Sequence, residues 1–435
     1  MKRSLALVFA ALFGLLLALP ASGARFTDTT TNAGNTFVFG GAPQPIRVTT
    51  YRVDFTGQYH TLVLNHELAE DYFVLLRGST DTAGLFDEDE NPLAASAASD
   101  YVRVVGDPSG RPGDTTAGNA IELGRFSDVG TWWGQVTVVE SVSQQETAGF
   151  RLRNVHRASM TGNTWSAVGS WVDATRVALY GGSMGGGMTV DGPDHANGWA
   201  RIWPNGDSLH LERAVSTSPT NFTIYEVEWG SEWTIQHAHV TGNAGGSGVD
   251  TPNEYDTAQL VIPVLRSQSF ALAYGFTDGS APGTGWEGQI YALGNGHPVN
   301  SKENKDAKPV KDVAVGSEYR VTRDVEVYVH SHPLLHVDHR SGPTGSLAAE
   351  QGGGSLAVDP PLAPETYWST GGQASTGTLR FSVLSNSSTG SDVTGTQPIV
   401  WSRHTSSGLV SWARHETAES GAYWLQSVDF GEIWR

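Results

Sequence analysis

The chain has no cysteine. That rules out disulfides, thiol nucleophiles, zinc–cysteine sites and iron–sulfur clusters, and leaves burial to hold the fold together. Lysine is scarce too. Apart from Lys2 it is confined to Lys302, Lys305, Lys308 and Lys311, in one short polar stretch that reads as a solvated loop. Basic residues are outnumbered, with 27 Lys and Arg against 45 Asp and Glu. A surface this acidic repels phosphate and anionic lipid, which argues against nucleic acid as a partner. Helical periodicity is also missing, apart from short turns at 68–70 and 94–98. After the first two dozen residues no run is apolar enough to cross a bilayer as a helix, so no transmembrane segment is expected in the mature chain.

What is present begins with a leader. Lys2 and Arg3 precede an apolar run from Leu5 to Leu19, and Pro20 and Ala21-Ser22-Gly23-Ala24 follow it. These are the three regions of a secretory signal peptide, so residues 1–24 are read as a cleaved leader and the protein as secreted or surface-associated. Lys2 and Arg3 leave with it, so the mature chain carries 25 basic against 45 acidic residues, a net charge of −20.

From Ile46 onward the chain alternates apolar and polar residues with period two, cut by Gly, Asn, Asp and Ser clusters. That is the strand signal, and it persists to the end. A composite motif recurs within it. Leu209-His-Leu-Glu-Arg213 is followed by Phe222-Thr-Ile-Tyr-Glu-Val-Glu228, and Ile121-Glu-Leu-Gly-Arg125 by Gln135-Val-Thr-Val-Val-Glu140. Val410-Ser-Trp-Ala-Arg414 precedes Trp424-Leu-Gln-Ser-Val-Asp429, and a weaker copy joins Tyr319–Arg323 to Leu335–Asp338. The expected fold is therefore all-β: tandem antiparallel β-sandwich-like repeats. The expected division is a leader at 1–24, then repeats at 25–158, 159–248, 249–345 (divergent) and 365–435. A Gly/Ala/Pro-rich linker at 346–364 precedes the last repeat.

In each copy an acid follows an arginine by fifteen residues. The expected role is architectural: Arg125 with Glu140, Arg213 with Glu228, Arg323 with Asp338 and Arg414 with Asp429, as ion pairs that fix register and packing.

Other residues invite chemistry. Gly181-Gly-Ser183-Met-Gly185 fits the nucleophile elbow of a serine hydrolase, but no helix pattern follows it, so Ser183 is only a weak catalytic alternative. His330, His332, His336 and Asp338 fall within ten residues and make a candidate N/O site for zinc or another divalent ion. Trp132 and Trp133 beside a turn are candidates for stacking on a sugar, whereas Trp412 and Trp424 sit among apolar neighbours as core. Asn221-Phe-Thr223 and Asn386-Ser-Ser388 fit the glycosylation pattern. The function expected is non-catalytic: a surface, adhesion or filament-type protein that contacts glycan or copies of itself, with no cofactor. The alternative is a secreted hydrolase, metal-dependent through the histidines or serine-dependent through Ser183.

Overall fold

The computed structural model describes residues 25–28, 37–40, 46–81, 102–107, 117–125, 131–142, 147–184, 200–213, 216, 219–242, 254–277, 290–293, 309–317, 323–343, 354–357, 369–370, 374–375, 380–386, 399–406, 409–414 and 422–430. Residues 1–24, expected to be a leader, and the lysine-rich stretch through Lys308 fall outside them. The described residues are nearly all strand, every pairing is antiparallel, and the helical content is two three-residue 3₁₀ turns, Ala174–Arg176 and Arg266–Gln268.

A hairpin of β1 (Arg25–Asp28) and β2 (Phe37–Gly40) forms a unit of its own. Everything from Pro45 to Ile433 belongs to a second unit. Within it the chain lays down six strands at a time. The first set is β3 (Ile46–Phe55), β4 (Tyr59–Val63), β5 (Asp71–Asp81), β6 (Val102–Gly106), β7 (Ala120–Arg125) and β8 (Thr131–Ser141). The second is β9 (Phe150–Met160), β10 (Thr164–Val168), β11 (Val177–Met184), β12 (Arg201–Asn205), β13 (Ser208–Glu212) and β14 (Thr220–Trp229). The third is β15 (Thr234–Gly242), β16 (Glu254–Leu265), β17 (Ser269–Thr277), β18 (Ile290–Leu293), β19 (Pro309–Ser317) and β20 (Arg323–Ser331).

The last stretch opens with β21 (His336–Pro343) and β22 (Gly354–Ala357). Two short strands follow, β23 (Ser369–Thr370) and β24 (Ala374–Ser375). It then runs through β25 (Arg380–Asn386), β26 (Ile399–Ser406), β27 (Leu409–Arg414) and β28 (Ala422–Asp429). From β22 to β27 the description is of the backbone.

Each set is wired the same way. The first, sixth and third strands form one sheet with the sixth in the middle: β3-β8-β5, β11-β14-β9, β15-β20-β17 and β21-β28-β25. The second, fifth and fourth form another with the fifth in the middle: β4-β7-β6, β10-β13-β12, β16-β19-β18 and β22-β27-β26. β23 and β24 instead extend the β3-β8-β5 sheet, Ala374 pairing with Tyr51 and Ser375 with Thr50.

The burial patterns explain the sequence. β13 reads buried at Leu209 and Leu211 and half-buried between them, as a strand with one wet face should. β14 and β20 are buried along nearly their whole length. One face of each packs on the partner sheet and the other on a neighbouring set, so both faces need apolar or paired residues. Strand β11 packs against β5 and β6, β12 against β17 and β20, and β17 against β21. β26 lies against β5 and β8, so the fourth set returns to the first.

These set-to-set contacts are aromatic. Phe73 stacks on Tyr180 at 4.0 Å between ring centres and packs on Phe150 at 5.2 Å. Each such pair adds about 0.5–1.5 kcal/mol beyond the area it buries. Polar groups inside the contacts include paired ones: Tyr225 donates to Asp107 at 3.1 Å and Tyr328 to the Ile202 carbonyl at 2.6 Å. Gln426 acts as a missing strand neighbour, accepting from the Ala271 amide at 2.7 Å and donating to its carbonyl at 2.9 Å.

The expected cut after residue 158 falls inside β9, whose ladder partner is β14; residues 150–158 thus pair with the second set. Likewise 234–239 open the third set by pairing with β20, and 336–343 pair with β28.

Candidate functional site

The histidine run was the sharpest candidate, and the strands disperse it. β20 ends at Ser331, and His332 begins a tight turn closed by the Leu335 amide on the His332 carbonyl at 3.0 Å. β21 then leaves for another sheet, with His336 opposite Asp429. His330 is fully buried. Its Nε2 accepts the Tyr180 hydroxyl at 2.6 Å, and its ring lies 4.5 Å from that of Phe270 and nearly parallel. Burial, helped by nearby His237, pushes its pKa down to about 3, so it is neutral. His332 packs 5.0 Å from Trp233, accepts the Leu334 amide on Nδ1 and turns Nε2 toward Glu232 at 3.5 Å. Burial lowers its pKa, against the pull of Glu232. Asp338 accepts from Arg340 at 2.8 Å. Among the described residues no three His, Asp or Glu side chains gather as a metal site would require.

Trp132 is a core residue, 2% exposed and 5.5 Å from Phe55, not a surface platform. It starts a strand buried on both faces, so adjacency to a turn did not bring it into solvent. The side chain of Trp133 lies outside the described residues, as do those of Ser183 and Trp412. Trp424 is buried, as expected of core. The backbone of Ser183 is next to last in β11 and pairs with Phe222; the residues after Met184 that an elbow would involve lie outside the described ones. In the first glycosylation pattern Thr223 is buried with its hydroxyl on the Val104 carbonyl at 2.6 Å.

Arg125, Glu140, Arg213 and Glu228 are buried, but neither arginine meets its expected acid; the side chains of Arg323 and Arg414 lie outside the described residues. Arg125 donates Nε to the Gly57 carbonyl at 2.9 Å and Nη2 to Thr56 at 2.6 Å. Arg213 does the same one set later, Nε to Gly162 at 2.9 Å and Nη2 to Met160 at 3.3 Å, with Nη1 on Thr220 at 2.8 Å. Both therefore clamp the turn between the first and second strands of their sets.

The acids pin the opposite end, where the second strand leads to the third. Glu140 accepts from the Ala69 amide, from both Nε and Nη2 of Arg47, and from His66. Burial raises its pKa, but those hydrogen bonds outweigh burial and hold it below the usual range. Glu228 accepts from the Val172 and Asp173 amides, Arg153 and Arg176. Arg323 and Asp338 belong to different sets, β20 and β21, and the position matching Glu228 is taken by His330. Asp429 is buried at the end of β28; the side chain of Arg414 lies outside the described residues.

The side chains around Glu228 form a further feature at this end of the second set. Arg151 and Arg153, two apart on β9, and Arg176 from the 3₁₀ turn line a half-open cleft of about 290 Å³. Glu228 and the Trp229 carbonyl form part of its wall, with Thr147 and Ser231 at the sides. Arg151 bridges to Asp71 at 3.0 Å, Arg153 to Glu228 at 2.7 Å, and Arg176 to Asp173 at 2.9 Å. The signal available in the sequence was Phe150-Arg-Leu-Arg153, two like charges on one strand face in an acidic chain.

Compared with protein-family models, curated proteins and solved structures, the chain matches none.

Proposed function

We propose that this is a secreted, non-catalytic surface protein of tandem β-sandwich repeats that acts by contact with glycan or with copies of itself. The observation that carries the reading is the wiring: one two-sheet connection scheme used four times, each time with its sixth strand buried between neighbours. A chain that spends its aromatic and buried ionic residues on joining units is suited to hold shape. His330 and His332, which a hydrolase would need exposed, are engaged in packing and hydrogen bonds. The hydrolase alternative draws no support from their placement. Export follows from the leader-like first 24 residues, and the acidic surface suits a protein that stays soluble outside the cell.

Expression of the full chain in a secreting host tests the reading. The expected product is a chain trimmed near residue 25, recovered from medium or envelope and retained on a glycan array or self-associated on sedimentation. An untrimmed cytosolic product, or a trimmed one with neither glycan retention nor self-association, would overturn it.

A further inference from the structure

We propose that the arginine-lined cleft beside Glu228 binds the carboxylate of an acidic sugar residue; this rests on the surface-contact reading and names its ligand. Three guanidinium groups converge at one mouth in a chain whose acids outnumber its bases. Arginine recognises carboxylates through a planar fork of donors, and it does so best where the fork is held still. Here it is held. Glu228 is 3% exposed and fixes Arg153 with one oxygen and Arg176 with the other. Asp173 and the Trp229 carbonyl take two more donors of Arg176. The walls are equally fixed, since the Gly230 and Glu232 amides bond to the Gly149 and Thr147 carbonyls at 2.8 and 3.0 Å.

The contents of the cleft select the ligand. About 290 Å³ is at the small end for binding pockets, enough for a compact ligand such as one sugar ring and too little for an extended aromatic one. The exposed hydroxyl-bearing residues Thr147 and Ser231 flank the arginines and suit the hydroxyls of a sugar that an arginine fork holds by its acid.

Isothermal titration of the full chain with glucuronate tests this, with glucose as the neutral control and acetate and sulfate as bare anions. Glucuronate should bind with an affinity that falls as salt rises, and glucose should not. Thr147→Trp, which blocks the mouth without touching any ion pair, should weaken binding at least tenfold at unchanged melting temperature. Arg151→Gln should weaken binding likewise, with some loss of melting temperature because its bridge to Asp71 goes too. Silence toward glucuronate in folded protein would overturn the proposal, as would full binding by the Thr147→Trp variant. Acetate or sulfate displacing glucuronate on equal terms would reduce the site to a bare-anion site and overturn the sugar assignment. None of these outcomes touches export or self-association, so failure here is separable from failure of the surface reading.

Discussion

The Tyr180 hydroxyl donates to Nε2 of His330 across 2.6 Å, joining residues 150 positions apart. The same hydroxyl accepts from Nε1 of Trp229 at 2.8 Å. The order of protons is set by chemistry. Indole can only donate, so the hydroxyl accepts there and gives its own proton to the imidazole, which must be neutral to take it. The relay runs from the second set into the third inside a dry aromatic cluster.

Tyr180→Phe keeps the ring and its stack on Phe73 but leaves an indole N–H and an imidazole nitrogen buried without that partner. Each orphan costs about 1–3 kcal/mol, so the variant should lose roughly 2–6 kcal/mol in denaturant unfolding. A loss below about 0.5 kcal/mol would show that water or another group replaces the hydroxyl.

His330 also makes stability depend on pH. Its folded pKa, about 3, lies below the value near 6.5 expected when unfolded. The unfolded chain therefore takes up the proton first. The contribution of neutral His330 is complete above about pH 6.5 and is lost as pH falls toward 3, by up to roughly 1.4 kcal/mol per pH unit. Glu326 works the other way, because burial raises its carboxyl against the pull of Arg201 and so favours the fold on acidification. His330→Gln should flatten the acid limb between pH 6 and 4 by close to one proton. Unfolding curves across that range in both proteins check it, and parallel limbs would mean that His330 is protonated in the fold.

The sequence carried the strands and their class, because alternation and turn residues act locally. It also singled out Arg125, Arg213, Glu140 and Glu228, all four of which are buried. It could not carry their partners. Arg213 and Glu228 lie in different sheets, and which carbonyl or amide each meets depends on how those sheets close. The histidine run misled for a similar reason: four residues near in sequence straddle the turn where β20 gives way to β21, so nearness along the chain became separation in space. Trp132 was misjudged because a strand buried on both faces has no wet side for a residue near its end.

Because Arg213 and Glu228 serve opposite ends of the second set, their removal should be independent. Arg213→Ala frees the turn at Gly162 and loses charge-assisted hydrogen bonds worth about 1.5–3 kcal/mol each, so a loss of at least ~3 kcal/mol is expected. Glu228→Gln weakens the hold on Val172, Asp173, Arg153 and Arg176. The double variant should lose the sum of the two within about 0.5 kcal/mol. A coupling above about 1 kcal/mol in the unfolding cycle would show that the two groups communicate after all.

Strands approach closely at Gly275, opposite Val325 where β17 meets β20. A methyl group there would stand 2.5 Å from the Asp324 carbonyl oxygen and 2.7 Å from the Val325 Cα. Both are backbone atoms of a central strand, so neither can swing aside as a side chain would. Gly275→Ala should cost about 1–3 kcal/mol or more through overpacking, and should loosen the ladder on both sides of β20. Gly162 is the matched control, since a methyl there meets nothing within 4 Å and its carbonyl still serves Arg213. Gly162→Ala should therefore be close to neutral. Hydrogen exchange at the Val325 amide and thermal unfolding of both variants distinguish the cases. Equal stability in the two would mean that β17 can draw back from β20 at little cost, and that the burial along β20 is looser than its side chains imply.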